Sequence, residues 1–150
     1  MKKTRLKSKE INRFLADYKV NLTKKDQVEL WEGEQKIIIV NGVPSFFYYE
    51  EKVIPTLRYL QNHLDCLKNI TVDMGAIKHI INGADVMRPG IVEIDEGFEK
   101  DDFIVIVDKN NQKPLAVGIA LLNSEELKKT NSGKVIKNIH YVGDKIWNLP

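Results

Sequence analysis

After residue 90 the sequence consists mainly of short extended runs separated by turn-forming residues. The predicted strands cover residues 91–95, 103–107, 115–122, 135–142 and 145–149. In the third strand, large apolar residues alternate with Ala116, Gly118 and Ala120, which predicts one bulky face and one crowded face. Short strands spaced this closely along a chain are typical of a closed or nearly closed β-barrel.

Two small helices are predicted beside these strands. Asp73 is positioned to cap the first helix, which ends at Gly83 because glycine readily adopts the left-handed conformation that closes a helix. The apolar residues of this helix recur at helical spacing and are Ile77, Ile80, Ile81 and Ala84. Ser124 is predicted to cap the second helix.

The first half of the chain predicts a separate unit. Its amphipathic helix covers roughly residues 7–18, and extended runs follow at 28–31, 36–40 and 43–49. Asn41-Gly42 joins the last two runs with the positive φ angles of a type I′ turn, so the runs form an antiparallel meander. A second helix is predicted with Pro55 in its first turn. Its apolar face comprises Ile54, Leu57, Leu60, Leu64 and Leu67.

These patterns predict an α+β fold with two domains. Residues 1–68 form an α+β domain with an antiparallel meander and two helices, and residues 69–150 form a pseudo-barrel of short mixed strands with two small helices.

Charge is distributed unevenly along the chain. The net charge is +2, but residues 1–70 carry 13 Lys/Arg and 9 Asp/Glu, whereas residues 71–150 carry 10 and 12. Nine of the basic residues lie among the first 25, opposed only by Glu10 and Asp17. Such an end can meet phosphates, although charge alone favours a solvated helix face and a frayed terminus. The small net charge argues against a protein that coats nucleic acid non-specifically.

The composition predicts a cytoplasmic protein without a membrane partner. One cysteine, Cys66, excludes an internal disulfide framework and a multi-cysteine zinc site, and it suits a reducing compartment. No apolar run approaches the roughly 20 residues needed to cross a bilayer, and the basic N-terminal residues lead into no signal-peptide core.

Nothing in the sequence predicts an enzyme. The dinucleotide-binding, P-loop, serine-hydrolase and zinc-protease motifs are absent. The three histidines are far apart, so surface or packing roles are favoured over metal binding. Carboxylates cluster between Glu93 and Asp102, where an exposed acidic loop is favoured over a metal site or acid–base chemistry. We therefore expect no cofactor and no metal.

One stretch, residues 75–91, does suggest ligand binding. Small residues there bracket Met87 and Arg88, namely Gly83, Ala84 and Gly90. Small side chains let a backbone approach a ligand closely, so that peptide N–H groups meet phosphate or sugar oxygens. Arginine adds a planar fork for a phosphate or a base edge, and a core gains little from an arginine beside a Pro-Gly turn. The glycines equally suit helix closure and tight turns.

This stretch and the strands after it resemble the PUA domain, an RNA-binding barrel named for pseudouridine synthases and archaeosine transglycosylases. The resemblance covers about residues 70–149. It rests on the Gly-Ala-x-x-Met-x-Pro-Gly-Ile string from Gly83 to Ile91, on Val117-Gly118, and on Ile139-His140-Tyr141 with Trp147 nearby. The whole chain is similar to the malignant T-cell-amplified sequence family, in which a pre-PUA domain precedes the PUA domain.

The resemblance implies a non-catalytic, translation-associated protein that binds tRNA near its 3′ CCA end, or rRNA. It also implies association with the small ribosomal subunit and with an initiation factor that carries a SUI1-type domain. The residues that it assigns to RNA binding are Lys78, Asn82, Gly83, Ala84, Asp85, Val86, Met87, Arg88, Pro89 and Gly90. Lys145, near the C-terminal strand, is added to this set.

Two alternatives stay open. In the first alternative, the chain is an adaptor that binds a SUI1-type initiation factor through its N-terminal unit. The aromatic residues 46–49 could contribute to that surface, but their alternating positions favour a place in the core. Otherwise it is an accessory subunit in tRNA or rRNA modification, since PUA domains often accompany catalytic ones.

Overall fold

The computed structural model describes residues 1–150, which fold as two compact units. The first comprises Met1–Cys66 with Leu149, and the second comprises Leu67–Asn148 with Pro150. The predicted α+β class is confirmed. None of the helices combines the length and the apolar character that a membrane span requires.

The first unit contains a five-stranded antiparallel sheet. Its strands are β1 (Lys2–Leu6), β2 (Val28–Glu32), β3 (Lys36–Val40), β4 (Val43–Tyr49) and β5 (Lys52–Pro55), and they lie in this order across the sheet. Asn41 and Gly42 join β3 to β4 with φ angles of 51° and 82°, which confirms the predicted hairpin turn. The N-terminal residues pair with β2 along the whole of β1, so they form an edge strand and not a frayed end.

Helix α1 (Ser8–Leu15) packs on one face of this sheet. Ile11 and Leu15 lie one helical turn apart and share a core cluster with Phe46. Phe47 points to the opposite face of β4, where Ile54 is its partner across the strands. Phe46 is 0% exposed and Phe47 is 1% exposed, so neither offers an aromatic platform to a ligand.

The second helix of this unit begins later than predicted. Ile54 and Pro55 belong to β5, and α2 covers only Leu57–Leu60. Thr56 caps α2, since its hydroxyl oxygen accepts a hydrogen bond from the Tyr59 amide at 3.2 Å. The prediction of one longer helix was wrong because apolar spacing alone does not separate a buried strand and a short helix from a continuous helix.

The second unit contains a six-stranded mixed sheet. Its strands are β6 (Lys68–Val72), β7 (Val86–Met87), β8 (Ile91–Ile94), β9 (Phe103–Asp108), β10 (Pro114–Ala120) and β11 (Lys134–Tyr141). Their order is β7-β11-β10-β9-β6-β8, and only β6 and β9 pair in parallel. With the small helices α3 (Ile77–Ile80) and α4 (Ser124–Lys129), this curled sheet confirms the predicted pseudo-barrel.

The crowding predicted for β10 is found at Gly118, where the paired strand β11 approaches closely. A Cβ atom on Gly118 would stand 2.4 Å from Ile136 Cγ2 and 2.9 Å from the Lys137 carbonyl oxygen. No side chain fits in that space, so glycine at this position lets the two strands approach.

The predicted strand at residues 145–149 is wrong, because the chain turns there. The Asp144 carboxylate accepts hydrogen bonds from the amides of Tyr141 at 3.0 Å and Trp147 at 2.9 Å. These bonds fold the C-terminal residues back on themselves.

The cap of α4 also differs from the prediction by one position. The Asn123 side chain accepts a hydrogen bond from the Glu126 amide at 2.8 Å, so Asn123 is the cap and Ser124 is the first helical residue.

Candidate functional site

A surface cavity of about 570 Å³ lies at the end of α3. Its lining residues are Ala76, His79, Ile80, Ala84, Asp85, Val86, Met87, Gly90 and Lys134. Ala84, Asp85, Val86, Met87 and Gly90 come from the set predicted to bind RNA. The sequence did not point to Lys134, which reaches the cavity because β11 pairs with β7 and places it opposite Met87.

The loop between α3 and β7 forms one wall of this cavity and is held by the fold. Gly83 closes α3 with a φ of 91°, as predicted, and a Cβ atom there would stand 3.1 Å from the Tyr141 ring. Asn138 Nδ2 donates hydrogen bonds to the carbonyl oxygens of Ile80 and Ala84, each at 3.0 Å. These contacts fix the loop backbone without a ligand.

Two further lining residues, Ala76 and Gly90, are held together beside Asp73. The Asp73 carboxylate accepts a hydrogen bond from the Ala76 amide at 3.1 Å, so Asp73 caps the single 3₁₀ turn Met74–Ala76 that leads directly into α3, and not α3 itself. The Asp73 amide donates to the Gly90 carbonyl at 2.9 Å, and a Cβ atom on Gly90 would come within 3.2 Å of the Ala76 Cβ. Packing therefore explains why Gly90 is small, and its contact with RNA stays a prediction.

The rim of the cavity combines an exposed apolar side chain with an ion pair. Met87 is 52% exposed. Lys134 Nζ lies 3.4 Å from Asp85 Oδ2, and Asp85 Oδ1 also accepts a hydrogen bond from the Asn138 amide at 2.8 Å. The Lys134 side chain is 51% exposed, so water screens the pair and the ammonium group stays accessible to an anion.

Arg88 is half-buried, and its guanidinium group is used within the fold. Nε donates to the Leu127 carbonyl at 3.0 Å, and Nη1 donates to the Ile91 carbonyl at 3.3 Å. These bonds tie the turn Arg88–Gly90 to α4. The expectation that the fold gains little from this arginine is therefore wrong, while its contact with RNA stays a prediction.

The other predicted residues lie outside the cavity lining. Lys78 is exposed on α3, and Asn82 Nδ2 donates to its carbonyl oxygen at 2.7 Å. Pro89 is exposed in the turn after β7. Lys145 is exposed in the C-terminal turns.

The acidic segment uses its carboxylates for structure. Asp95 accepts a hydrogen bond from a backbone amide at 2.7 Å, Asp102 accepts one at 2.8 Å, and Glu96 forms an ion pair with Lys128. No group of three or more His, Cys, Asp and Glu side chains lies close enough together to hold a metal ion.

Burial acts on the pKa of two side chains, Cys66 and Asp144. Burial and the neighbouring charge of Asp65 raise the pKa of Cys66 to about 11, so the thiol stays protonated at neutral pH.

His140 is 0% exposed, and its Nδ1 lies 2.8 Å from Asp144 Oδ2, which confirms a packing role for this histidine. Burial alone would raise the pKa of Asp144, but the contact with His140 and the two backbone amides hold it below its usual value.

Both units match known protein families. Residues 68–142 match the PUA domain, and residues 2–63 match a domain of unknown function, DUF1947. An uncharacterized protein of Methanocaldococcus jannaschii is 47% identical over 142 residues, which cover 94% of this chain and 88% of the relative.

Relatives with known names cover both units as well. Translation machinery-associated protein 20 of Saccharomyces cerevisiae is 35% identical over 85% of this chain and 75% of the relative. Malignant T-cell-amplified sequence 1 of Rattus norvegicus is 34% identical over 85% of this chain and 74% of the relative. The crystal structure of a hypothetical protein from Pyrococcus horikoshii is similar with a TM-score of 0.85 and 37% identity, covering 97% of this chain and 98% of that one.

Proposed function

The chain belongs to the family of PUA-domain proteins that includes translation machinery-associated protein 20 and malignant T-cell-amplified sequence 1, and on that premise we propose that it is a non-catalytic RNA-binding protein of translation. Its RNA ligand is tRNA, and the cavity at the end of α3 binds the 3′ CCA end. The protein acts in the cytoplasm.

The rim of the cavity is the observation that carries this proposal. An unpaired base can lie against the exposed Met87 side chain, while the accessible ammonium group of Lys134 meets a phosphate. A single-stranded RNA end offers both a free base face and a phosphate, whereas a duplex hides its base faces. The loop wall fixed by Asn138 presents its backbone to such a ligand with little reorganisation.

Substitution of Met87 tests the assignment of the cavity. We expect Met87→Ala to weaken tRNA binding about tenfold, because loss of the apolar side chain that a base covers costs about 1–2 kcal/mol. Fluorescence anisotropy with labelled tRNA at one fixed salt concentration measures the effect, since phosphate contacts make the affinity depend on salt.

Met74→Ala is the matched control for this experiment. Met74 is 44% exposed in the same unit but does not line the cavity, so its removal is expected to leave the affinity unchanged. Equal affinities of wild type and Met87→Ala would contradict the proposed site.

We also propose two partners at the level of larger assemblies, the small ribosomal subunit and an initiation factor with a SUI1-type domain. An exposed aromatic group in the first unit supports a protein partner. Phe14 is 40% exposed, and the Arg13 guanidinium lies 4.6 Å from the centre of its ring. Aromatic and arginine side chains are enriched in protein interfaces. Co-sedimentation with purified small subunits tests the first partner, and absence from the pellet would contradict it. Pull-down by the tagged factor tests the second, and failure to retain this protein would contradict that one.

A further inference from the structure

A second cavity, of about 670 Å³, lies in the first unit, where the end of β1 and the start of α1 meet the turn before β2. Four of its lining residues are basic, and one is acidic. The basic residues are Arg5, Lys7, Lys9 and Lys24, and the acidic residue is Asp26. Cations gathered around one cavity attract a ligand with several negative charges.

None of the four basic side chains has an ion-pair partner, and all four are exposed. Arg5 lies opposite Glu29 across the β1–β2 pair. Glu29, however, accepts a hydrogen bond from the Trp31 indole at 3.2 Å and forms no ion pair with Arg5. The positive charges of the cavity are therefore not neutralised by ion pairs within the protein.

The one acidic residue stabilises the turn that carries Lys24. Asp26 Oδ2 accepts a hydrogen bond from the Thr23 amide at 2.8 Å, and Asp26 Oδ1 accepts one from Asn41 Nδ2 at 2.9 Å. The Asp26 carboxylate supplies one negative charge against the four basic side chains. The cavity therefore keeps an excess of positive charge.

The loop before this turn is fixed to α1. Asn12 Nδ2 donates to the Leu22 carbonyl at 2.9 Å, and the Leu22 amide donates to Asn12 Oδ1 at 2.8 Å. These paired bonds hold the loop against the helix, so Lys24 faces the β1–α1 junction on an ordered segment. The backbone segments that carry these basic residues are therefore fixed by strand pairing and hydrogen bonds.

The second unit is poor in the positive charge that RNA binding needs. From Leu67 onward the chain has 11 Lys/Arg and 12 Asp/Glu, whereas the first 66 residues have 12 and 9. Lys134 is the one basic Lys/Arg side chain that lines the cavity of the second unit, and it shares its charge with Asp85, while the nearby Arg88 is tied to backbone carbonyls. Much of the affinity of a protein for RNA comes from cations that neutralise phosphates. Phosphate contacts on the first unit, where Lys/Arg exceed Asp/Glu, therefore add affinity that the nearly balanced second unit supplies only in part.

We propose that the basic cavity of the first unit binds the sugar–phosphate backbone of RNA. This inference rests on the proposed function. Exposed Lys and Arg side chains around an open surface cavity suit a polymer of phosphodiesters, which presents one negative charge per nucleotide. An acidic protein segment has the same sign of charge, but RNA is already the proposed ligand of the second unit and accounts for the cavity without another partner.

The salt dependence of tRNA binding to the full chain tests the proposal. The triple variant Arg5→Gln, Lys7→Gln, Lys24→Gln removes three exposed charges. Each lost phosphate contact lowers the slope of log affinity against log salt by about 0.7–0.9, so the slope is expected to fall by about 2–3. Variant and wild type are expected to bind with similar affinity at about 1 M salt, where phosphate contacts contribute little. At about 0.1 M salt, one decade lower, the variant is then expected to bind roughly 100-fold more weakly than wild type. Lys24→Gln alone is expected to lower the slope by about 0.7–0.9, which provides a minimal variant if the triple variant unfolds.

The matched control removes the same charge from the second unit. Lys100, Lys109 and Lys129 are exposed and line neither cavity. The triple variant Lys100→Gln, Lys109→Gln, Lys129→Gln is expected to weaken binding less than about threefold, through the loss of long-range attraction alone.

The outcomes separate this inference from the proposed function. Wild-type protein that binds no tRNA contradicts the proposed function, on which the inference rests. Wild-type binding with an unchanged slope in the cavity variants overturns the inference alone. A labelled polyglutamate peptide is the second probe: if the cavity variants lose the peptide but keep the tRNA slope, the cavity binds an acidic protein segment and the inference is likewise overturned.

Discussion

Arg88 joins three parts of the second unit through its guanidinium group. The side chain starts in the turn after β7, and its Nε and Nη1 reach carbonyl oxygens of Leu127 in α4 and Ile91 in β8. Half-buried carbonyl groups need donors, and a planar fork serves two of them at once, whereas lysine has a single ammonium group. At this residue the fold and the candidate RNA surface use the same side chain.

Arg88→Ala is expected to lower the free energy of unfolding by about 2 kcal/mol, since two carbonyl groups lose a charged donor. Urea denaturation measures the change, and Lys78→Ala, at an exposed position, serves as a control with an effect below about 0.5 kcal/mol. Wild-type stability in Arg88→Ala together with weakened tRNA binding would contradict the structural role and assign the guanidinium to RNA.

At the scale of elements, the sequence predicts strands well where apolar runs are bounded by turn residues. The β3–β4 hairpin follows from Asn41-Gly42, and the crowded face of β10 follows from Gly118. Residues 145–149 have a strand-like apolar pattern, yet they turn because the Asp144 carboxylate binds two amides. Periodicity reports which side chains are apolar and does not report such local hydrogen bonds.

The candidate site was predictable only in part for a similar reason. Its loop was identified from the small residues near Met87, which are local in sequence. Lys134 and Asn138 join the site from β11 through strand pairing and side-chain hydrogen bonds. Contacts of this kind depend on the tertiary fold, and no spacing within the sequence indicates them.

The C-terminal turn is expected to lose stability in acid. Although burial acts to raise the pKa of Asp144, His140 and the backbone amides lower it overall. A carboxyl group whose pKa is lowered in the folded state adds stability above its unfolded pKa of about 4, and this stability is lost as pH falls through the folded pKa. Asp144→Asn should therefore be less stable than wild type at neutral pH.

Urea unfolding of both proteins between about pH 7 and pH 2 measures this dependence. The difference in unfolding free energy is expected to shrink as pH falls below about 4. A difference that stays constant over the whole range would show that the charge of Asp144 does not stabilise the turn.

For the whole molecule, the two units contribute different chemistry to the proposed RNA binding. The first unit carries an excess of Lys/Arg and a basic cavity without ion pairs, whereas the second carries a nearly balanced charge and a mainly apolar cavity. Cations supply affinity that depends little on sequence, and contacts with an unpaired base supply selectivity. We therefore assign affinity chiefly to the first unit and recognition of the RNA end to the second.

Titration of the full chain with intact tRNA and with the same tRNA lacking its terminal CCA decides whether the second unit binds the RNA end. Anisotropy at one salt concentration gives both affinities. We predict that removal of CCA weakens binding to wild type by about tenfold and has little effect on Met87→Ala, because the variant has already lost the contact with the unpaired base. Equal affinity of the wild-type protein for the two tRNAs would contradict the account.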